Sequence, residues 1–284
     1  MPVGTEAITV YWIPGCGNCT RLKGYLADRG VEFQAVDVQG DLEAFEDMKR
    51  AGILSMPSVR VGDRWATGFD LDQVDDLLGL TKDPAGRVLA IEELVERATG
   101  FVDAVCRLAL QLPPDHYDDP TPTMDRFAAP FLFMLDGTPY VPHHSYKSLV
   151  HHIAGHAEKF KRFALVADGI HELGFAMEVT GEDAAFGEPE EATPMYRVIA
   201  QMALTANDIR AWRWVTPTCD LTRVIGTHYG PQTLHQLLQS MTCSLAQHYR
   251  QLNEILVERL GIEPDRPVGE KAFEGLLMPS GVWQ

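Results

Sequence analysis

Two cysteines separated by two residues are the part of this sequence with the clearest chemical meaning. Cys16 and Cys19 follow a β-branched and aromatic stretch at residues 8–13 and precede a helical pattern at residues 20–29. At such a strand-to-helix turn the first sulfur meets unpaired backbone N–H groups and the positive end of the helix dipole, which favour its thiolate form. We therefore predict that Cys16 is the attacking sulfur and that Cys19, one helical turn later, resolves the mixed disulfide.

A zinc half-site or a pair of buried thiols is the alternative interpretation of these two cysteines. Within the first 80 residues no second Cys-x-x-Cys pair and no Cys/His pair follows at metal-ligand spacing. The other cysteines, Cys106, Cys219 and Cys243, have no motif spacing, and we expect them to be small buried or half-buried residues. In a reducing cytosol a catalytic dithiol is the favoured interpretation.

Histidines on two predicted helices form a second candidate site. His156 falls within the apolar stripe of the first of these helices, and His152 lies one turn earlier at the edge of that stripe. His248 lies on the inner face of the second helix. Burying three imidazoles on two facing helices is costly unless they share a partner, so we predict a metal or proton-transfer site.

The remaining histidines of these helices are predicted to lie outside that site. By helical phase His151 points away from the stripe and is solvated, and His235 lies on a flank of the other helix. His143 and His144 precede the expected helix N-cap, Ser145, and are also predicted to be solvated.

Composition excludes several classes of function. The net charge is −16 and the basic residues are scattered, which excludes an extended nucleic-acid surface. No apolar run approaches the roughly 18 residues of a membrane span, and residues 1–10 lack the pattern of a signal peptide. We expect a cytoplasmic protein with neither membrane nor nucleic-acid partners.

The dithiol lies in a segment with alternating strand and helix patterns. Residues 8–13 and 31–38 have strand patterns on either side of the 20–29 helix, and a strand pair and a terminal helix follow. Asp41 is the expected N-cap of the first of the two later helices, and the last helix is expected to begin near Asp70. This order predicts an α/β sandwich.

The histidines lie in a segment that is predicted to be helical. Four long helical patterns cover about residues 84–111, 145–166, 194–215 and 231–260, with Pro-rich segments between them, which predicts an antiparallel four-helix bundle. The apolar run within residues 124–135 is interpreted as a packed crossover or a cover over one end of the bundle. The predicted domains are residues 1–80 and 88–284, the latter ending in a C-terminal tail, with a linker at 81–87.

Residues 7–80 resemble a glutaredoxin, which has the thioredoxin fold. Besides the dithiol, the match includes Ser55-Met56-Pro57, where the family has a cis-proline facing the dithiol, and Gly68-Phe69-Asp70, where it has a glycine turn into the last helix. The resemblance implies that glutathione or another low-molecular-weight thiol contacts the following residues. They are Met56, Pro57, Phe69 and Asp70.

Two features depart from the glutaredoxin pattern. The basic residue often found just before the first cysteine is absent, and Gly17-Asn18 replaces the usual aromatic residue inside the motif. Arg21 and Lys23 are candidates for the missing positive charge. A thioredoxin reductase is therefore an alternative electron source to the glutathione system.

Residues 85–260 resemble the DinB-like family of four-helix bundles, which includes metal-dependent hydrolases and thiol-dependent S-transferases. The resemblance rests on the helix pattern, on His152-Ile153-Ala154, and on the two segments of the fourth helix around His235 and His248. That family takes one histidine from the second helix and two, four residues apart, from the fourth. His152 and His248 match, but Ser244 occupies the third position.

Two explanations of Ser244 remain open. Either the metal site is degenerate, or His156 supplies the third imidazole from the other helix. In the second case the resemblance implies a divalent transition metal such as zinc or nickel, bound by His152, His156 and His248.

The combined prediction is a thioredoxin-like α/β domain followed by an all-α, DinB-like bundle. Tethering a dithiol to a second site raises its effective concentration there. We expect a glutathione-linked or other thiol-linked transferase or reductase acting on a small electrophile. The alternative is a non-catalytic redox sensor or stress adaptor.

Overall fold

The structure is a computed structural model of the chain. It describes residues 7–13, 16–38, 41–53, 55–82, 89–122, 132–133, 139–140, 145–167, 193–215, 219–227, 230–279 and 281–283. Residues 83–87 of the predicted 81–87 linker, most of the 124–135 segment, and His143 and His144 lie outside these residues.

The N-terminal region is a mixed four-stranded sheet with helices on both faces. Its elements are β1 (Ile8–Trp12), α1 (Gly17–Asp28), β2 (Gln34–Asp37), α2 (Leu42–Arg50), β3 (Ser58–Val61), β4 (Arg64–Thr67) and α3 (Leu71–Leu78). The strand order is β2-β1-β3-β4, with β1 parallel to β2 and the other pairs antiparallel. This thioredoxin-like arrangement agrees with the predicted order of strands and helices.

Alternating side chains of β1 divide the apolar interior of this region into two clusters. Val10 packs with residues of α1 and α3, including Leu22 and Val74, on one face of the sheet. Tyr11 points to the other face, where it packs with Met48 of α2. The alternation follows from the two-residue period of a strand.

Local sequence signals set the helix starts. Asp41 caps α2, as the sequence predicted, and Asp70, near which the last helix was expected to begin, caps α3. Each accepts a hydrogen bond from the backbone N–H three residues later. The Met56–Pro57 peptide is cis, which was also predicted.

The C-terminal region is helical. It contains α4 (Ile91–Gln111), α5 (Tyr146–Ala167), α6 (Met195–Val215) and α7 (Leu234–Glu254), which continues into a π-helical turn (Ile255–Arg259). Helices α4 and α5 each pack against both α6 and α7, and they share one apolar core. No helix in the part of the chain that the structure describes combines the length and apolarity needed to cross a membrane.

The sequence prediction missed short strands in this region. Residues Val224–Thr227 (β7) pair with Gly230–Thr233 (β8), and another short pair joins Leu132–Phe133 (β5) to Pro139–Tyr140 (β6). The fourth helix therefore begins at Leu234 rather than near residue 231, where the pattern of apolar residues alone had placed it. The capping box formed by Thr233 and Gln236 gives the local reason for the later start.

The C-terminal tail packs against both regions. Leu276 is buried in the helical core, whereas its neighbour Leu277 packs against the apolar cluster between the sheet, α1 and α3. Adjacent side chains therefore connect the two cores.

A buried hydrogen-bonded carboxylate offers a test of the N-terminal core. Tyr25 donates to Asp75, whose two carboxylate oxygens each lie 2.8 Å from the tyrosine oxygen, and Asp75 is 1% exposed. Tyr25→Phe removes this donor from a buried charge, so we expect a loss of about 2 kcal/mol. Hydrogen–deuterium exchange of the β1 amides in the full chain measures it.

The matched control is Tyr11→Phe, which removes a hydrogen bond to the more exposed Asp47. We expect a loss of less than about 1 kcal/mol there. Equal losses in the two variants would contradict the role assigned to burial at Asp75.

Candidate functional site

The dithiol lies at the first turn of α1, where the sequence predicted it. Cys16 is the N-cap residue, and its sulfur accepts a hydrogen bond from the backbone N–H of Cys19 at 3.1 Å. The two sulfurs form a disulfide bond, with 3% of Cys16 and none of Cys19 exposed. A donor aimed at Cys16, together with the helix dipole, favours a thiolate at this sulfur once the bond is reduced.

The proline and glycine turns of the predicted thiol-binding site meet each other. Gly68 donates its backbone N–H to the carbonyl oxygen of Pro57 at 2.8 Å. A Cβ atom on Gly68 would lie 2.7 Å from Leu22 and 2.8 Å from Pro57, which explains why this turn has a glycine. Phe69 and the α3 cap Asp70 follow directly.

Four of the predicted site residues therefore lie around this pair of turns. Met56 precedes the cis bond and packs on the α2 side of the sheet, whereas Phe69 lines a small cleft on the other side of the turn. The carboxylate of Asp70 accepts hydrogen bonds from both the backbone and the side chain of Gln73. Their binding of a thiol cofactor stays a prediction.

The dithiol motif itself contacts α7 of the helical region. The side-chain oxygen of Asn18 accepts hydrogen bonds from Arg21 and from the hydroxyl of Ser240, the latter at 3.1 Å. Arg21 also donates to the hydroxyl oxygen of Ser244 at 3.1 Å, and Ser244 donates to the carbonyl oxygen of Ser240. We call this group of four residues the docking network.

The docking network explains Ser244 in structural terms. Its hydroxyl donates to a carbonyl oxygen within α7 and accepts from the guanidinium of Arg21, so it has one hydrogen-bond partner in each region. Arg21 is 5% exposed and points to Asn18 and Ser244, while Lys23 lies over the Trp12 ring. Arg21 thus has a structural role that the sequence did not predict.

A small cleft lies beside this contact. It is lined from both regions, by Asn18, Arg21, Gly68, Phe69, Leu71, Gln236, Gln239, Ser240, Cys243 and Leu277. The Phe69 turn, which carries two of the predicted thiol-binding residues, therefore faces α7.

The three predicted imidazoles converge. The ligand nitrogens of His152, His156 and His248 all lie within 4.8 Å of one another, and the Nε2 atoms of His152 and His156 are 3.0 Å apart. The predicted convergence is confirmed. All three side chains are half-buried rather than fully buried as their place on the apolar faces predicted, so the cluster lies at the edge of the packed helices.

Gln251 orients His248, and the sequence analysis missed this residue. Its side-chain NH₂ donates to the carbonyl oxygen of Val282, so its oxygen faces His248 Nδ1 at 2.7 Å. This arrangement makes Nδ1 the donor and leaves Nε2 as the acceptor. The i, i+3 spacing of a histidine and a glutamine on one helix is the signal that was available.

The prediction for His151 was wrong. Its side chain is 9% exposed, and burial, with repulsion from Lys147, lowers its pKa to about 4, despite a backbone hydrogen bond at Thr193. The helix phase placed it outside the apolar stripe, but the segment at Thr193 packs there. His235 is on a flank, as predicted, and contacts the carbonyl oxygen of Leu89 at 2.8 Å.

Two of the remaining thiols are buried. Burial raises the pKa of Cys106 to about 12 and also raises that of Cys243. Both values agree with the predicted packing role.

Comparison with known proteins identifies the dithiol region. The glutaredoxin family model matches residues 8–66. The N-terminal part of this chain belongs to the glutaredoxin family. This glutaredoxin domain supports a thiol redox function.

Relatives of the glutaredoxin domain occur in two mycobacteriophages. The gene 56 protein of Mycobacterium phage L5 is 36% identical over 73 residues, which are 25% of this chain and 71% of the phage protein. The gene 56 protein of Mycobacterium phage D29 is 37% identical over 76 residues, 25% of this chain and 81% of that protein. No solved structure matches the chain.

The asymmetry between the two sulfurs predicts an order of alkylation. After reduction, iodoacetamide at mildly acidic pH should label Cys16 before Cys19, because the donor at Cys16 favours its thiolate. Peptide mass spectrometry measures the two rates, with Cys16→Ser as the control for Cys19. Faster labelling of Cys19 would refute the assignment of roles.

The geometry of the imidazoles predicts stoichiometric metal binding. Full-length protein purified without a polyhistidine tag should bind one Zn²⁺ or Co²⁺, and His248→Ala should abolish binding. Gln251→Ala should weaken it by about 10- to 100-fold, because it removes the group that orients His248.

The matched control for metal binding is His235→Ala, which alters the same helix outside the cluster. Its metal content should equal that of the unmodified protein. Metal that survives His248→Ala would show that these imidazoles are not the ligands.

Proposed function

We propose that the chain is a thiol-disulfide oxidoreductase in which a glutaredoxin domain serves a DinB-like four-helix bundle with a metal site. In this proposal the domains comprise residues 1–80 and 88–284, joined by a linker at 81–87. The substrate is a small electrophile that becomes linked to glutathione or another low-molecular-weight thiol. The chain acts as a transferase or reductase of this sulfur-linked species.

The dithiol supplies the redox step where the sulfur-linked species is a mixed disulfide. The Cys16 thiolate attacks one sulfur of a mixed disulfide, a new S–S bond forms, and the other thiol leaves as a thiolate. Cys19 then attacks Cys16, which releases the second thiol and leaves the Cys16–Cys19 disulfide. Two molecules of a low-molecular-weight thiol, or a thioredoxin reductase, return the pair to the reduced state.

The histidine cluster fits a divalent transition metal. Tetrahedral coordination at about 2.0–2.1 Å places ligand nitrogens about 3.3 Å apart. The Nε2 atoms of His152 and His156 are 3.0 Å apart, and all three ligand nitrogens lie within 4.8 Å of one another, so small side-chain movements reach that value. When bound, such an ion supplies Lewis acidity and favours the thiolate form of a thiol. Within the site His152, His156 and His248 hold it, and Gln251 fixes the ring of His248.

The contact between the dithiol motif and α7 carries this proposal. Asn18 and Arg21 bind Ser240 and Ser244, and His248 follows one turn after Ser244 on the same face of α7. Four residues span about 6 Å along a helix, so the docking network and the histidine cluster are neighbours. A sulfur-linked intermediate formed at one site then has a short path to the other.

Turnover of a small mixed disulfide tests the redox half of the proposal. With glutathione, glutathione reductase and hydroxyethyl disulfide, NADPH consumption should require Cys16, and Cys16→Ser should lower it more than 100-fold. His248→Ala should leave this rate within twofold, because the small disulfide needs only the dithiol. Activity that persists in Cys16→Ser would refute the assignment.

The docking network also favours the second candidate, a redox sensor without turnover. Because Asn18 lies inside the dithiol motif and contacts Ser240, reduction can alter the packing of α7 directly. In the sensor, hydrogen exchange of residues 236–248 differs between the oxidised and reduced forms, and Ser244→Ala diminishes the difference. The enzyme in addition shows His248-dependent conjugation of glutathione to 1-chloro-2,4-dinitrobenzene in zinc-loaded protein.

A further inference from the structure

A lysine on α5 lies on the same face as the histidine cluster. Lys159 follows His152 by seven residues, which is two helical turns, and follows His156 by three. The side chain of Lys159 is half-buried. Neither the glutaredoxin chemistry nor the metal ligands use it.

The antiparallel arrangement of α5 and α7 places Lys159 on the dithiol side of the cluster. The end of α5 lies near the start of α7, since Asp220 donates its backbone N–H to Ala167 and His235 donates to Leu221. At the other end of the pair, the rings of His152 and His248 are 4.7 Å apart. Both helices rise by the same distance per residue between these two contacts, so Lys159 lies level with residues 241–245 of α7. Arg21 contacts Ser244 in that part of α7.

Lys159 has no carboxylate partner and no hydrogen-bond acceptor among the residues that the structure describes. Its neighbour Glu158 instead pairs with Lys161 and accepts from Thr205. Burial, with repulsion from Arg162, lowers the pKa of Lys159 to about 8. A half-buried ammonium group without a hydrogen-bond acceptor is strongly stabilised when an anion binds to it.

A metal ion bound by the three histidines would, like Lys159, be stabilised by a nearby negative charge. Three imidazoles are neutral ligands, so a divalent ion bound by them keeps its full positive charge. Among the described residues no carboxylate joins the cluster. Although the net charge of the chain is −16, this face with its bound ion would be positively charged, and it therefore favours anions.

We propose that Lys159 and the His152, His156 and His248 cluster form the binding site of a carboxylate-bearing substrate, with Lys159 as the residue that recognises the carboxylate. This inference rests on the proposed function, because that carboxylate belongs to the electrophile of the proposed reaction. The electrophilic atom then lies between the cluster and the dithiol. An uncharged electrophile such as 1-chloro-2,4-dinitrobenzene lacks this anchor, so its KM is expected to be higher than that of a carboxylate-bearing electrophile.

Carboxylate binding can be measured without metal and without the dithiol. The full chain with Cys16→Ser and Cys19→Ser is treated with EDTA, and its seven lysines are ¹³C-dimethylated by reductive methylation, which keeps their charge. The probes are propionate and its uncharged analogue propionamide. Lys159→Arg identifies the Lys159 resonance by its loss.

We expect propionate to shift the Lys159 resonance saturably, with a midpoint at least tenfold lower than that of propionamide. The Lys147 and Lys161 resonances should not respond. Equal effects of the two probes, or no shift at Lys159, would overturn the inference.

A charge-removing variant supplies a second measurement. Propionate should raise the melting temperature of the chain, Lys159→Met should abolish this increase, and the matched control Lys161→Met should retain it. An increase that persists in Lys159→Met refutes the carboxylate site.

The two proposals fail in distinguishable ways. Stoichiometric zinc binding and disulfide turnover with no carboxylate effect would remove only the role of Lys159. Carboxylate binding at Lys159 in a chain without metal binding or disulfide turnover would remove the proposed reaction and leave an anion site.

Discussion

Hydrogen bonds from two neighbouring residues of α1, Asn18 inside the dithiol motif and Arg21 just after it, to two serines of α7 connect the two halves of the chain. Asn18 accepts from Ser240, and Arg21 connects Asn18 to Ser244. Arg21 is almost fully buried in this contact, and a buried guanidinium is costly unless acceptors surround it. The contact therefore specifies one orientation of the glutaredoxin domain rather than a loose tether.

That orientation brings together the Phe69 turn, Ser244 and the α7 side of the histidine cluster, which are far apart in the sequence. The turn at Phe69 faces the cleft beside α7, so a thiol bound there would meet residues of both regions. Ser244 serves the contact with Arg21. His156, from α5, completes the group of three imidazoles.

The charge distribution fits chemistry on a small anion. The chain has a net charge of −16, yet among the described residues no carboxylate joins the imidazole cluster. Lys159 adds a cation on the same face of α5, with no carboxylate partner among the described residues. A thiolate and a carboxylate are both anions that such a face attracts.

The sequence by itself determined the elements whose signals are local. The Cys-x-x-Cys turn, the Asp41 cap and the four long helices follow from neighbours within a few residues, and the structure has each of them. The cis bond at Pro57, which the structure also has, was implied by the glutaredoxin resemblance. Helical phase was also sufficient to bring His152, His156 and His248 together. Tertiary structure alone decided that His151 is buried, that Gln251 orients His248, and that Asn18 and Arg21 dock on α7. These contacts join residues on separate elements, up to 223 positions apart for Arg21 and Ser244, and no periodicity in the chain encodes which surfaces meet.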